Sequence, residues 1–363
     1  MGDARVIRLH AGAPAGPAAG RQASQDGASQ DRASQDRASQ DRAGPAWARV
    51  DTGAVPAGRS PSASGSTAAP AEQAVPAARP DWHRPDWERA LAGGLAFLRR
   101  RVAGDYEVDE FGFDPDLTRQ VLVPSLRPLY SRWFRVEVQG MHNVPDTGGA
   151  LVVANHSGTL PLDSLMTAVA LADHHPAHRC LRMLGADLVF RLPVLGPLAR
   201  KAGHTLACSS DAARLLGAGE LVGVWPEGFK GVGKLFSDRY KLQRFGRGGF
   251  VGAALRTGVP IVPCSIVGAE EIYPMLGNAK TLARLLGLPY FPLTPTFPWL
   301  GPLGAVPLPS KWLIEFGEPI ETAALGSAAA DDPMLVFNIT DQVRETIQSA
   351  LYRLLLQRRS VFR

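Results

Sequence analysis

Short apolar runs that stop at turns recur along this chain, with stretches of helical periodicity between them, and that alternation leaves few architectures open. Leu221–Trp225 and Val259–Val267 read as buried strands, the second strongly β-branched, and Leu151–Ala154 reads the same way. Shorter strands are expected at Arg135–Gln139, Arg179–Gly185 and Trp312–Phe316. Helices are expected at Trp87–Val102, Leu117–Leu129 (interrupted by Pro124), Asp163–Ala172, Leu192–Lys201, Ser209–Leu216 (capped by Ser209 or Ser210), Gly249–Arg256 and Pro333–Gln357. Strands alternating with helices at this spacing imply an α/β fold: a mixed, largely parallel sheet flanked by helices, in a single catalytic domain over residues 81–363.

Residues 1–80 have another character. They are rich in Ala, Gly, Pro, Ser and Gln and carry ASQDG at Ala23–Gly27 followed by three copies of ASQDR. Such a stretch buries too little apolar surface to offset its chain entropy, so a disordered N-terminal tail is expected. The start of the chain lacks the apolar core of a signal peptide, and Val6 breaks the myristoylation pattern. No charge-free apolar run is free enough of Pro and Gly to span a bilayer. Three scattered cysteines, Cys180, Cys208 and Cys264, argue against a disulfide framework or a structural zinc and suit a reducing interior. A formal charge of +5 suits an anionic partner without selecting one.

Chemistry concentrates at Ala150–Asp163, ALVVANHSGTLPLD. A strand ends in Asn155-His156, a turn of small and rigid residues follows, and Asp163 opens a helix. Polar groups at strand ends are where open α/β sheets place their sites. A histidine there with a carboxylate at the next helix start has the layout of a base with an orienting acid. A histidine after a strand is more often structural, but no GxSxG elbow and no cysteine in a nucleophile's setting competes with His156. Ser157 is a poor nucleophile, because its side chain diverges from that of its neighbour.

A second constellation is Leu221–Phe250. A strand ends in Pro226-Glu227-Gly228, and Lys230, Lys234, Arg239, Lys241, Arg244 and Arg247 follow. Glycine-rich turns bring backbone amides near a phosphate and the cations supply charge, so anion binding outweighs a merely solvated basic loop. Gly228–Lys234 also matches the opening of a phosphate-binding P-loop, but Leu235 stands where the Mg²⁺-ligating hydroxyl is needed. His174, His175 and His178 resemble metal ligands, yet Pro176 breaks the helix that would align them, and a solvent-exposed loop is expected. Between Arg284 and Lys311 no residue is charged while prolines and aromatics abound. This segment either folds over the core or forms a membrane-contact surface anchored by Tyr290, Phe291, Phe297 and Trp299. The Arg99-Arg100-Arg101 cluster suits either acidic phospholipid or a solvated helix end.

Taken together these residues resemble the lysophospholipid acyltransferase (phospholipid/glycerol acyltransferase) superfamily. Asn155-His156 with Asp163 matches its histidine–acid motif, Pro226-Glu227-Gly228 its Pro-Glu-Gly block, and Val259–Pro263 a later Val-Pro strand. Six residues separate His156 from Asp163, a longer loop that resembles the bacterial, monoacylglycerol-acyltransferase-like branch. The resemblance implies acyl transfer from acyl-CoA or acyl carrier protein, as co-substrate and with no other cofactor or metal, to a glycerolipid hydroxyl. It makes His156 the general base and Asp163 its orienting acid. Asn155, Ser157, Glu227, Gly228, Lys230, Lys234 and Arg239 become candidates for binding substrate. The expected setting is peripheral, at the inner, cytoplasmic face of the cell membrane, with lipid and thioester rather than nucleic acid as partners. An acyl-thioester hydrolase and a non-catalytic lipid-binding protein are the competing readings.

Overall fold

A computed structural model describes residues 86–246 and 248–362. The expected tail over residues 1–80, and Arg247, lie outside them. Helix α1 (Asp86–Ala103) extends one residue beyond the expected helix at each end. Two of its three clustered arginines are ion-paired, Arg100 to Asp116 at 2.8 Å and Arg101 to the fully buried Asp114 at 2.6 Å. Those two neither reach for lipid nor merely cap a helix; they tie α1 to the chain that follows.

The expected break at Pro124 does not occur. Helical structure runs from Pro115 to Trp133, with π turns at Thr118–Leu122 and Leu129–Trp133. The first widened turn holds Gln120, the residue whose carbonyl a proline at 124 would otherwise crowd, so the helix passes the ring.

Then come β1 (Glu137–Gln139), β2 (Ala150–Ala154), α2 (Leu162–His174), β3 (Leu181–Gly185), β4 (Thr205–Leu206), α3 (Ser209–Gly217) and β5 (Leu221–Val224). They are followed by α4 (Phe229–Val232), α5 (Gly249–Thr257), β6 (Ile261–Val267), a small ribbon of β7 (Gly277–Asn278) and β8 (Pro292–Leu293), β9 (Leu313–Phe316) and α6 (Pro333–Gln357). Asp332 caps α6 through the amides of Met334 and Leu335, with Pro333 in the first turn. At α3 the capping position is Cys208 rather than either serine, and its side chain makes no capping bond.

The described residues form a seven-stranded sheet ordered β1-β9-β6-β2-β5-β3-β4. All neighbours are parallel except β6 and β9, so the sheet is mixed and largely parallel, as the sequence implies. Helices cover both faces. In β2, Ala150, Val152 and Ala154 pack with Met166, Val169 and Ala170 of α2, while Leu151 and Val153 pack with α3, α5 and α6. A strand covered on both sides has no polar face, which is why its sequence reads as an unbroken apolar run.

The histidine cluster divides. His174 and His178 are exposed, whereas His175 is buried: its Nε2 lies 3.1 Å from the Val144 carbonyl and its Nδ1 accepts from the Ala177 amide at 3.1 Å. His175 is a tether between turns and not part of an exposed loop. The uncharged segment forms β8, a short helix turn at Gly301–Ala305, and irregular chain between them.

Candidate active site

Asn155 ends β2 with a fully buried side chain. Its amide donates to the Ile266 carbonyl at 3.0 Å and accepts from the Ile266 N–H at 2.7 Å. Both ends of the amide are spent on β6, so Asn155 fixes where β2 stops and makes no surface for a substrate. His156 follows, at the carboxyl end of the sheet's central strand.

The imidazole Nδ1 of His156 lies 2.7 Å from Asp163 Oδ2. Asp163 is fully buried in the first turn of α2, where the helix dipole favours a carboxylate. The same Oδ2 accepts the Ser157 amide at 2.9 Å, and Oδ1 accepts the Ser164 amide at 2.8 Å. Two backbone N–H groups and the imidazole thus converge on one carboxyl group, and both of its oxygens are engaged. The six-residue loop therefore closes on itself: Ser157 turns back to the acid, and Gly158, at φ +80°, passes the Ala269 carbonyl where a side chain would collide. Ser157 is itself fully buried and its hydroxyl has no partner, so it faces no opening. The histidine side chain retains 15% exposure, and Nδ1 alone is committed.

Beneath the histidine sits Glu227. Its Oε1 accepts the His156 backbone N–H at 2.9 Å, its Oε2 accepts the Gln243 N–H at 2.6 Å, and Lys234 Nζ lies 3.5 Å away. Lys234 is also 3.1 Å from Glu270, and its side chain is only 4% exposed. A lysine placed between two buried carboxylates is spent on them; it presents no charge to a phosphate and no P-loop lysine to a nucleotide. Burial pushes the Glu270 carboxyl up to about 7, against the opposing pull of Lys234. Of the other candidates, Gly228, Lys230 and Arg239 are exposed. Gly228 adopts φ +54° with ψ −142°, a conformation open to glycine, and so turns the chain from Glu227 into α4. Arg239 stacks its guanidinium 4.4 Å over the Phe236 ring.

Four contributors escape a reading of the sequence. Gly231 in α4 lies so near His156 that a Cβ there would stand 2.7 Å from its carbonyl oxygen and 2.9 Å from its Cβ. The Trp225 ring tilts against the imidazole with centres 6.1 Å apart, and its Nε1–H is buried without a partner. Tyr290 donates from its hydroxyl to the Thr159 carbonyl at 2.5 Å, and burial raises that phenol to about 12. Glu270 completes the ion cluster around Lys234. Tyr290 is thus a strut of the histidine loop and not a surface anchor. Phe291 and Phe297 are half-buried against each other, with ring centres 5.5 Å apart, which leaves Trp299, at 73% exposure, as the open aromatic of that segment.

The chain resembles several known proteins. A family model described as Acyltransferase matches residues 135–267, from just before β1 to the end of β6. An uncharacterized protein of Mycobacterium tuberculosis is 66% identical over 273 residues, covering 75% of each chain. The Gallus gallus protein named DGAT1/2-independent enzyme synthesizing storage lipids is 29% identical over 189 residues, 52% of this chain and 53% of its own. Among solved structures, the 1-acyl-sn-glycerophosphate acyltransferase PlsC of Thermotoga maritima superposes with a TM-score of 0.42 at 18% identity, covering 74% of this chain and 97% of its own. With its histidine-bearing strand end inside the matched region, this chain belongs to the acyltransferase family and is an O-acyltransferase.

Proposed function

We propose that the protein transfers a fatty acyl group from an acyl thioester, on CoA or acyl carrier protein, to a hydroxyl of a lysophospholipid or acylglycerol, with His156 as general base. The observation that carries this reading is the 2.7 Å contact between His156 Nδ1 and the fully buried Asp163. An ionised Asp163 can only accept, so it holds the proton on Nδ1 and leaves the Nε2 lone pair for substrate. Nε2 takes the proton of the acceptor hydroxyl as its oxygen bonds to the acyl carbon. The tetrahedral adduct then collapses, the carbon–sulfur bond breaks, and the departing thiolate receives the proton from the imidazolium. Buried Asp163 stabilises that imidazolium while it exists.

The acceptor is a membrane lipid, and the surface offers places to meet it. Leu285, Trp299, Leu300 and Leu303 stand between 55% and 81% exposed, in or beside the uncharged segment. On α1, Leu91, Leu95, Leu98 and Val102 form a stripe at helical spacing, each more than half exposed. No helix among the described residues is long and apolar enough to cross a membrane. In our reading these residues hold the protein peripherally, at the inner, cytoplasmic face of the cell membrane.

Purified full-length protein, given acyl-CoA or acyl carrier protein with and without a lysophospholipid or acylglycerol, should release thiol only with acceptor and yield the acylated lipid. His156→Ala should lower that rate by about a hundredfold or more. Thiol release indifferent to acceptor would overturn the transfer reading in favour of hydrolysis, and full activity in the alanine variant would remove His156 from it.

A further inference from the structure

A cavity of about 470 Å³ lies apart from the imidazole, between the end of α6 and the chain that follows α4. Its size falls among small-molecule and cofactor sites, which run from about 300 to 1,000 Å³. Four aromatic rings line it, Phe236, Tyr240, Tyr352 and Phe362, and the last two are more than half exposed. Arg239, Lys241 and Arg358 are set against a single lining carboxylate, Glu271. Arg358 is spent on that carboxylate through two hydrogen bonds, of 2.6 and 2.9 Å, and Tyr240 donates to it as well. The floor is thereby neutral. Arg239 makes no ion pair among the described residues, and Lys241 shares only a loose, exposed contact of 3.5 Å with Asp238.

This cavity has a wall in common with the histidine loop. Phe236 lines both the cavity and the narrow cleft at Gly158 and Thr159. One segment likewise serves both sides: Glu271 and Pro274 face the cavity, while Glu270, Tyr273 and Met275 face the cleft. A ligand seated in the cavity is thus separated from the histidine loop by a single wall.

We infer that the cavity binds the nucleotide end of a CoA thioester, its base against Tyr352 and Phe362 and its 3′-phosphate at Arg239 and Lys241. Resting on the acyl-transfer reading, the inference selects CoA over acyl carrier protein as donor. Aromatic faces stack any base, and an unpaired arginine beside a lysine meets a phosphate with charge-assisted hydrogen bonds.

The test compares CoA with 3′-dephospho-CoA, by titration calorimetry and as palmitoyl thioesters in steady-state kinetics, on the full-length protein. Wild type should bind CoA about tenfold more tightly than dephospho-CoA. In Arg239→Ala/Lys241→Ala, KM for palmitoyl-CoA should rise about tenfold with kcat within twofold, and the preference over the dephospho form should vanish. Tyr352→Ala should weaken both ligands alike, by several-fold. All three side chains are exposed, and thermal melting verifies that the variants fold. Equal affinity for CoA and dephospho-CoA, or an unchanged KM in the double variant, overturns the inference. So does transfer from acyl carrier protein with no binding of CoA, an outcome that leaves acyl transfer itself standing. Absence of transfer from either donor, with CoA still bound in the stated pattern, would instead sink the acyl-transfer reading and keep the nucleotide site.

Discussion

The carboxylate of Glu227 accepts the backbone N–H of His156 at 2.9 Å, so the loop that carries the imidazole is fastened to the turn that follows β5. The acid of the Pro-Glu-Gly block therefore holds the histidine's main chain while Asp163 holds its ring. Two carboxylates, one in the first turn of α2 and one in the turn after β5, thereby set the position and the angle of one side chain.

Glu227→Gln tests the first of these. A glutamine offers one carbonyl where two amides, of His156 and Gln243, now find acceptors, and it leaves Lys234 one anion short. Breaking a buried ion pair from one side costs about 3–5 kcal/mol, and the expected loss of stability is at the lower end because Glu270 remains. Urea denaturation should show it, with kcat falling about tenfold or more. A variant as stable as wild type would mean that neither the charge of Glu227 nor its second acceptor oxygen holds the loop.

Asp163→Asn keeps an acceptor oxygen near Nδ1 but removes the charge that stabilises imidazolium. By analogy with acid–histidine pairs elsewhere, kcat should drop by about 10²–10⁴-fold with KM for the acceptor nearly unchanged. A smaller loss, within about threefold, would show that the acid serves folding only.

Gly231→Ala adds one methyl group 2.7 Å from the His156 carbonyl oxygen. Overpacking of that kind costs about 1–3 kcal/mol, and displacing a catalytic group by about 1 Å costs on the order of a hundredfold in rate. Activity should therefore fall further than stability does. Wild-type kcat in this variant would place the productive imidazole elsewhere than it stands here.

Glu270 gives a pH dependence of definite sign. Its carboxyl is raised from 4.5 to about 7, chiefly by burial, so the folded chain binds a proton that the unfolded chain has released. This stabilising contribution is complete below about pH 4.5 and is lost as pH rises through about 7. A shift of this size corresponds to about 3 kcal/mol. Glu270→Gln has no such titration, so its stability relative to wild type should improve between pH 5 and pH 8. Denaturant curves at both values decide it; a constant difference would mean that Lys234 keeps Glu270 ionised throughout.

The exposed apolar residues make a prediction without cost to the fold. Changing Trp299, Leu300 and Leu303 to serine should leave the melting temperature within a degree or two, since surface substitutions seldom exceed about 0.5 kcal/mol each. Sedimentation with vesicles of anionic phospholipid should fall about tenfold. Unaltered sedimentation would move the contact to another surface, such as the stripe on α1.

Much of this arrangement was legible because it is local. β2, its turn and α2 lie within one stretch of chain, so the pairing of His156 with Asp163 follows from periodicity and spacing. Lys234 was not legible in the same way. A lysine in a glycine-rich loop reads as a free cation until Glu270, 36 residues further on, is folded against it. Tyr290 looked like a surface anchor for a similar reason, because the Thr159 carbonyl that it serves lies 131 residues before it. Gly231 carries no signal at all, since the space it leaves belongs to a different strand end. The antiparallel run of β9 was equally hidden, for strand direction depends on how the intervening chain returns.

That reversed strand bears on how the protein is made. Glu137 pairs with Leu313, and the only described neighbour of β1 is β9. During synthesis, everything from β2 to β6 can assemble while one margin of the sheet still waits for a partner that the ribosome delivers late. Until it arrives, Ile261–Val267 presents bare amides and carbonyls along one side, an invitation to pair with another chain. The last strand to emerge thus seals the domain, and a nascent chain halted before Phe316 is the species most exposed to misassembly.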